Sequence, residues 1–159
     1  MALSLAVFAI IWPKARAPAV LWNISPSVPT GIYWLTSRPP PPGALAVIRL
    51  PEPFLTLAHA RGYLSDTALL IKRIAGRAGD IVCRHGAIVT INGRPVAYAR
   101  TADAAGRPLP RSSGCRRLNP AQAFVLSPEP GSFDSRYFGP VDRRHVLGTA
   151  LPLWARATR

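Results

Sequence analysis

The stretch "ALLIKRIAGRAGDIVCR", Ala68–Arg84, runs apolar and rich in β-branched residues into a glycine-bearing turn and out again. That is the composition of two strands joined by a short connection. Side chains alternate along a strand, so Leu70, Lys72 and Ile74 share one face while Arg73 points to the other. The apolar company of Lys72 puts a lysine on the buried side.

The identity of that residue carries information, because the 159 residues hold 18 Arg against 2 Lys, and the second lysine, Lys14, lies near the N-terminus. Arginine cannot lose its proton in a protein, whereas a buried lysine can. An unperturbed lysine is neutral in only about one molecule in 2,500 at pH 7, so a lysine base must be shifted down by several pKa units, each worth about 1.4 kcal/mol. Desolvation acts in that direction. The alternative is a strand lysine whose stem lies on the sheet while its amine snorkels to water.

The flanking segments continue the β pattern. "AIVTINGRPVAYA", Ala87–Ala99, predicts a hairpin, since Asn92-Gly93 suits a type I′ turn. "SRPPPPG", Ser37–Gly43, is a rigid polyproline spacer leading into "ALAVIRL", a strand. "PEPFLTLAHARGYL" has prolines at its start, an acid in its first turn and apolar residues at near-helical spacing, and predicts a short helix. Thr101 to Asn119 is polar and rich in Gly, Pro and Arg, a long loop-like excursion. "AFVLSPEPGSFDSRYFGPV" and "HVLGTALPLW" supply the last strands. The sum is a mostly β domain with one short helix and an inserted hairpin region.

At 48% hydrophobic content the chain can bury the core of one domain. Its net charge of +13 invites a polyanion or an anionic membrane surface as partner. The basic residues are scattered rather than gathered into a stripe, so no specific nucleic acid is expected. "MALSLAVFAIIW" is about twelve apolar residues, short of the roughly 20 that span a bilayer, and reads as a signal-like segment or a membrane anchor that has lost its beginning. Residues 1–22 are therefore set apart from a body at 23–159. Lys14 and Arg16 follow the apolar run, a flank that by itself places the body in the cytoplasm. Cys83 and Cys115 are too few and too far apart in sequence for a zinc site. They are either one disulfide, worth roughly 3 to 4 kcal/mol in the chain-entropy model, or two free thiols in a reducing compartment.

Two more segments offer chemistry. In "NISPSVPTGIYW", Asn23–Trp34, Pro26 and Pro29 stiffen the chain, so neither helix nor regular central strand fits, and Ser25 and Ser27 sit in a preset loop. A hydroxyl is a weak nucleophile until a base takes its proton. His59, His85 and His145 have no acid at a spacing that suggests a Ser-His-Asp arrangement, and each reads as a surface or packing residue. In "GSFDSRYFG", Gly131–Gly139, Ser132, Asp134 and Arg136 alternate and would share a face if extended. Asp134 and Arg136 can pair, and Ser132 can hydrogen-bond the lysine. An aspartate against Lys72 would raise the lysine pKa, the wrong direction for a base, so Asp134 is assigned to support.

"SPSVP", "IKRIAGRAGD" and "SFDSRYFG", in this order, resemble the boxes of the type I signal peptidases, and "NISPSVPTGIY" is closest to their conjugal-transfer, pilin-processing branch of the TraF type. The resemblance covers nearly all of the chain after Trp22. It implies a signal-peptidase-like β domain, Ser27 as nucleophile and Lys72 as its general base. Ser25 matches the serine that helps form the oxyanion hole with the N–H of Ser27. Ser132 matches a serine that orients the lysine, and Asp134 with Arg136 a structural pair. No cofactor and no metal is implied. Val28 stands where general members carry methionine, and the body is compact, which points to the specialised branch. The implied substrate is the pilin precursor of a conjugative transfer system, cleaved and in some relatives cyclised. The alternatives are a general signal peptidase acting on other exported preproteins and a basic, non-enzymatic module of the transfer apparatus. The implied location is the inner membrane, with the catalytic domain on the periplasmic side.

Overall fold

The computed structural model describes residues 20–64 and 69–156, so the apolar run at 1–12 lies outside the described residues. The fold is mostly β and consists of two antiparallel sheets. The larger sheet contains β1 (Val20–Asn23), β2 (Thr30–Thr36), β3 (Leu45–Arg49), β4 (Leu69–Gly76), β9 (Gln122–Leu126), β10 (Val141–Asp142) and β11 (Val146–Arg156), in the order β1-β2-β11-β3-β4-β9-β10. The smaller, ordered β7-β6-β5-β8, contains β5 (Ile81–His85), β6 (Ile88–Ile91), β7 (Arg94–Tyr98) and β8 (Gly114–Arg117). The chain passes from one sheet to the other through the glycine-bearing turn after β4, where Asp80 accepts the N–H of Arg77.

Local chemistry explains these elements. Asn92 and Gly93 both take positive φ, 51° and 78°, which is what a type I′ turn between β6 and β7 requires. Asn92 also anchors the turn, accepting the N–H of Ile81 and donating to Asp80. β11 can lie against β2 only because two glycines leave room. A Cβ on Gly148 would overlap the Thr36 carbonyl oxygen and one on Gly31 the Trp154 carbonyl, and both residues hold φ near +154°.

The core lies on both faces of the larger sheet. Ala46, Ile48, Ile74, Phe124 and Val125 pack with Val89, Ile91 and Leu118 in one cluster. Val47, Ile71 and Ala150 pack with Leu21, Val28 and Tyr33 in the other. Along β4 Lys72 and Ile74 are buried and Arg73 is exposed, as expected, whereas Leu70 on the same side is half-buried and Ile71, on the Arg73 face, is buried in the second cluster.

Five local expectations change. β2 begins at Thr30, directly after Pro29, and is a regular strand between β1 and β11, so the prolines constrain the loop and leave the strand beyond it free to pair. The excursion after Thr101 contains β8, an edge strand whose four residues are all exposed and so carry no apolar pattern. The helix α1 (Phe54–Ala60) has no acid in its first turn; Glu52 stands before the N-cap and reaches in to accept the N–H and hydroxyl of Thr56. Finally, "SFDSRYFG" is not extended throughout, because Ser135–Phe138 form a one-turn helix, α2, capped by Asp134 and ended at Gly139 with φ 77°. Residues 20–22, grouped by sequence with the N-terminal segment, belong to β1.

Candidate active site

The loop between β1 and β2 is organised by a residue to which sequence reasoning assigned no role. Asn23 donates from Nδ2 to the carbonyls of Ser25, Val28 and Pro29 at 2.9, 3.1 and 3.1 Å and accepts the N–H of Ser25. The Asx preference for bonding its own downstream backbone was the available signal. Tyr33 adds a bond from its hydroxyl to the Pro29 carbonyl. Within this frame Ser27 is buried and Ser25 exposed. Ser25 Oγ donates to Ser27 Oγ at 3.1 Å and lies 3.4 Å from the Ser27 N–H, so a hydroxyl and a backbone donor stand beside the Ser27 side chain.

Lys72 is 3% exposed, and its Nζ donates to Ser132 Oγ at 2.7 Å. Burial is the main cause that lowers its pKa, from 10.5 to about 8. Asp134 pulls the pKa up and Arg136 pushes it down, both by charge. Asp134 thus does act on the lysine in the unfavourable direction, but desolvation dominates.

Asp134 is fully buried. Its Oδ1 accepts Arg136 Nε at 2.8 Å and its Oδ2 accepts Arg136 Nη2 at 2.9 Å, a bidentate pair made possible because the cap turns Arg136 back over the aspartate. Arg136 also donates to the Ser127 carbonyl at 2.6 Å, and Ser127 N–H donates to Asp134. Every buried polar side-chain atom among the described residues has a partner.

Ser127 joins the two halves of the site. Its hydroxyl donates to the Ser27 carbonyl, one hundred residues away in sequence, while its backbone is held by Asp134 and Arg136. Ser135 performs a similar task, accepting the Val125 N–H. Neither serine stood out in the sequence. His59 and His85 are exposed and His145 half-buried, and none is bonded to Ser25 or Ser27.

Cys83 and Cys115 face each other directly in the β5–β8 register and are joined by a disulfide. The expectation that they lie too far apart for a metal site therefore reflects sequence separation alone. Cys83, His85 and Cys115 bring their ligand atoms within 4.8 Å of one another.

Beside the Ser25–Ser27 loop, β1, β2 and β11 expose apolar side chains in two cross-strand rows. Val20, Trp34 and Leu151 lie opposite one another, as do Trp22, Ile32 and Trp154. All six are more than a third exposed, and Trp22 reaches 79%.

The family model described as "Signal peptidase, peptidase S26" matches residues 1–154. The plasmid transfer protein TraF of Escherichia coli is 33% identical over 142 residues, covering 82% of this chain and 80% of the relative. The probable conjugal transfer protein TraF of Sinorhizobium fredii is 36% identical over 140 residues, covering 80% of this chain and 73% of the relative. The conjugal transfer protein TraF of Agrobacterium fabrum is 33% identical over 144 residues, covering 83% and 80%.

Proposed function

The chain belongs to the signal peptidase family, peptidase S26, and from that premise we propose that it is a serine endopeptidase of the conjugal-transfer branch, with Ser27 as nucleophile and Lys72 as general base. The observation that carries the proposal is the buried amine of Lys72, held by Ser132 and lowered to about 8. Arginine in its place could not act as a base.

In this reading Lys72 Nζ takes the proton of Ser27 Oγ as the oxygen attacks the scissile carbonyl. Ser25 Oγ and the Ser27 N–H stabilise the oxyanion of the tetrahedral intermediate. The lysine returns its proton to the leaving amine and leaves an acyl-enzyme. A second nucleophile, water or an amine, is deprotonated by Lys72 and releases the product. Asn23, Ser127 and the Asp134–Arg136 pair hold the two serines and the lysine in place before substrate arrives, which lowers the entropic cost of reaction.

The substrate is the pilin precursor of a conjugative transfer system, a reading supported by relatives named plasmid or conjugal transfer proteins. Cyclisation follows where the amine of the same chain reaches the acyl-enzyme before water does. The exposed apolar rows on β1, β2 and β11 adjoin the site, and in sequence β1 comes after the apolar N-terminal run. Together with the +13 charge these features support a site at an anionic membrane surface, and the periplasmic side of the inner membrane is what the family resemblance implies.

Co-expression with a pilin precursor, read by product mass, tests the assignment. Wild type yields a shortened product, lighter by one further water if cyclised, whereas Ser27→Ala and Lys72→Arg leave the precursor whole. Processing by both variants would remove the dyad. Processing by Lys72→Arg alone would keep Ser27 as nucleophile and remove Lys72 as its base, an unprocessed precursor with wild type would return the chain to a non-enzymatic, charge-based role, and cleavage of many unrelated preproteins would favour a general signal peptidase.

A further inference from the structure

We propose that Cys83, His85 and Cys115 form a reductively opened binding site for a thiophilic metal ion of the zinc class, separate from the peptidase site. Cys83 and His85 are two residues apart on β5 and so share a face of the small sheet. Cys115 stands opposite Cys83 on β8, which puts its sulfur on that same face. The Sγ of Cys115 lies 3.8 Å from Nε2 of His85. Two ligands of one tetrahedral zinc, at about 2.3 Å for sulfur and 2.0 Å for nitrogen, stand about 3.5 to 3.8 Å from each other. The imidazole is therefore already at ligand spacing from one sulfur, and cleaving the disulfide lets the second sulfur relax to the same separation.

The sulfurs are reachable. β8 is the edge of its sheet and all four of its residues are exposed, as is His85, while Cys83 is half-buried. A dithiol reductant can open the bridge in place. One of its thiolates attacks Cys115 Sγ and expels Cys83 as thiolate. Its second thiol then attacks the mixed disulfide and expels Cys115. The reductant ends as a disulfide, and the protein ends with two thiols. Two thiolates and a neutral imidazole suit zinc or copper(I) and not magnesium or calcium, and the fourth position stays open to water or an outside ligand.

Cobalt(II) titration of the full chain tests the site, after reduction with a phosphine and desalting under inert gas. The expected result is one cobalt per chain, with a near-ultraviolet thiolate-to-cobalt band and the visible bands of a tetrahedral ion, both displaced by zinc. The oxidised protein should show neither. Cys115→Ser should abolish the near-ultraviolet band at one equivalent, and His85→Ala, which leaves the disulfide and its folding route intact, should weaken binding at least about tenfold. Absence of the band in reduced wild type would overturn the proposal. So would equal cobalt affinity in His85→Ala, since the cysteines would then be acting as a bare dithiol, or loss of the far-ultraviolet strand signal on reduction before metal is added.

Discussion

If Lys72 is the base, the rate of acylation follows the fraction of chains in which its amine is neutral. With a pKa of about 8, about one chain in ten is ready at pH 7, against about one in three thousand for the same amine at 10.5, a gain of about 300-fold. Below pH 8 each unit of acidification removes about another factor of ten. The logarithm of kcat/KM should therefore climb with unit slope to about pH 8 and level off above it. A continuous assay with an internally quenched peptide spanning the pilin cleavage site, at constant ionic strength from pH 5.5 to 9.5, reads this directly. The same shift appears in stability. The folded pKa lies below that of the unfolded chain, so between about 8 and 10.5 the unfolded state binds more protons and stability rises with pH, by about 3 kcal/mol across the window. Lys72→Met, which has no proton to lose, should be the more stable protein below pH 8 by up to about that amount, and the difference should close towards pH 10.5. A rate profile flat from pH 6 to 9, or one with its midpoint near 6.5, would refute Lys72 as the base and point to a histidine or to no titrating group.

Ser25→Ala should lower kcat by about 10² to 10³ with little change in KM, because in the proposed mechanism the Ser25 hydroxyl beside Ser27 Oγ serves the oxyanion and not the bound ground state. Unchanged kcat would leave the backbone N–H as the sole donor. Asp134→Ala removes one partner of a buried, bidentate pair and should cost about 3 to 5 kcal/mol in urea unfolding; a loss below about 1 kcal/mol would mean that water replaces the carboxylate. Gly148→Ala should fail to give soluble protein, since its Cβ would overlap the Thr36 carbonyl. Gly43→Ala, at positive φ but with open space around it, should cost only about 1 kcal/mol. Equal thermal stability of these two variants would contradict the close approach of β11 to β2.

The features legible in the sequence were those written locally. Alternation along one strand and the scarcity of lysine marked Lys72, and Asn92-Gly93 marked its turn. Two prolines marked the loop of Ser25 and Ser27. Features created by distant contact were not legible. Ser127 acts across one hundred residues, through a bond to a backbone carbonyl that any residue could offer. β8 pairs by its backbone alone and its side chains meet only water, so "GCRR" carries no burial pattern. The three metal-capable side chains come together only through the register of β5 and β8. The expected face of Ser132, Asp134 and Arg136 was a case between these: the pairing held although the geometry changed, because a helix cap can return an arginine to an aspartate two residues before it.

The order of strands also sets a timetable. Ser27 hangs from the β1–β2 pair and Lys72 lies in the β3–β4–β9 group, and among the described residues β11 is the only ladder between them. A ribosome delivers β11 after the other ten strands of the described residues. Until that strand has emerged, Ser27 and Lys72 belong to two half-sheets with no common edge, so on the proposed reading a newly made chain cannot act until β11 is laid in.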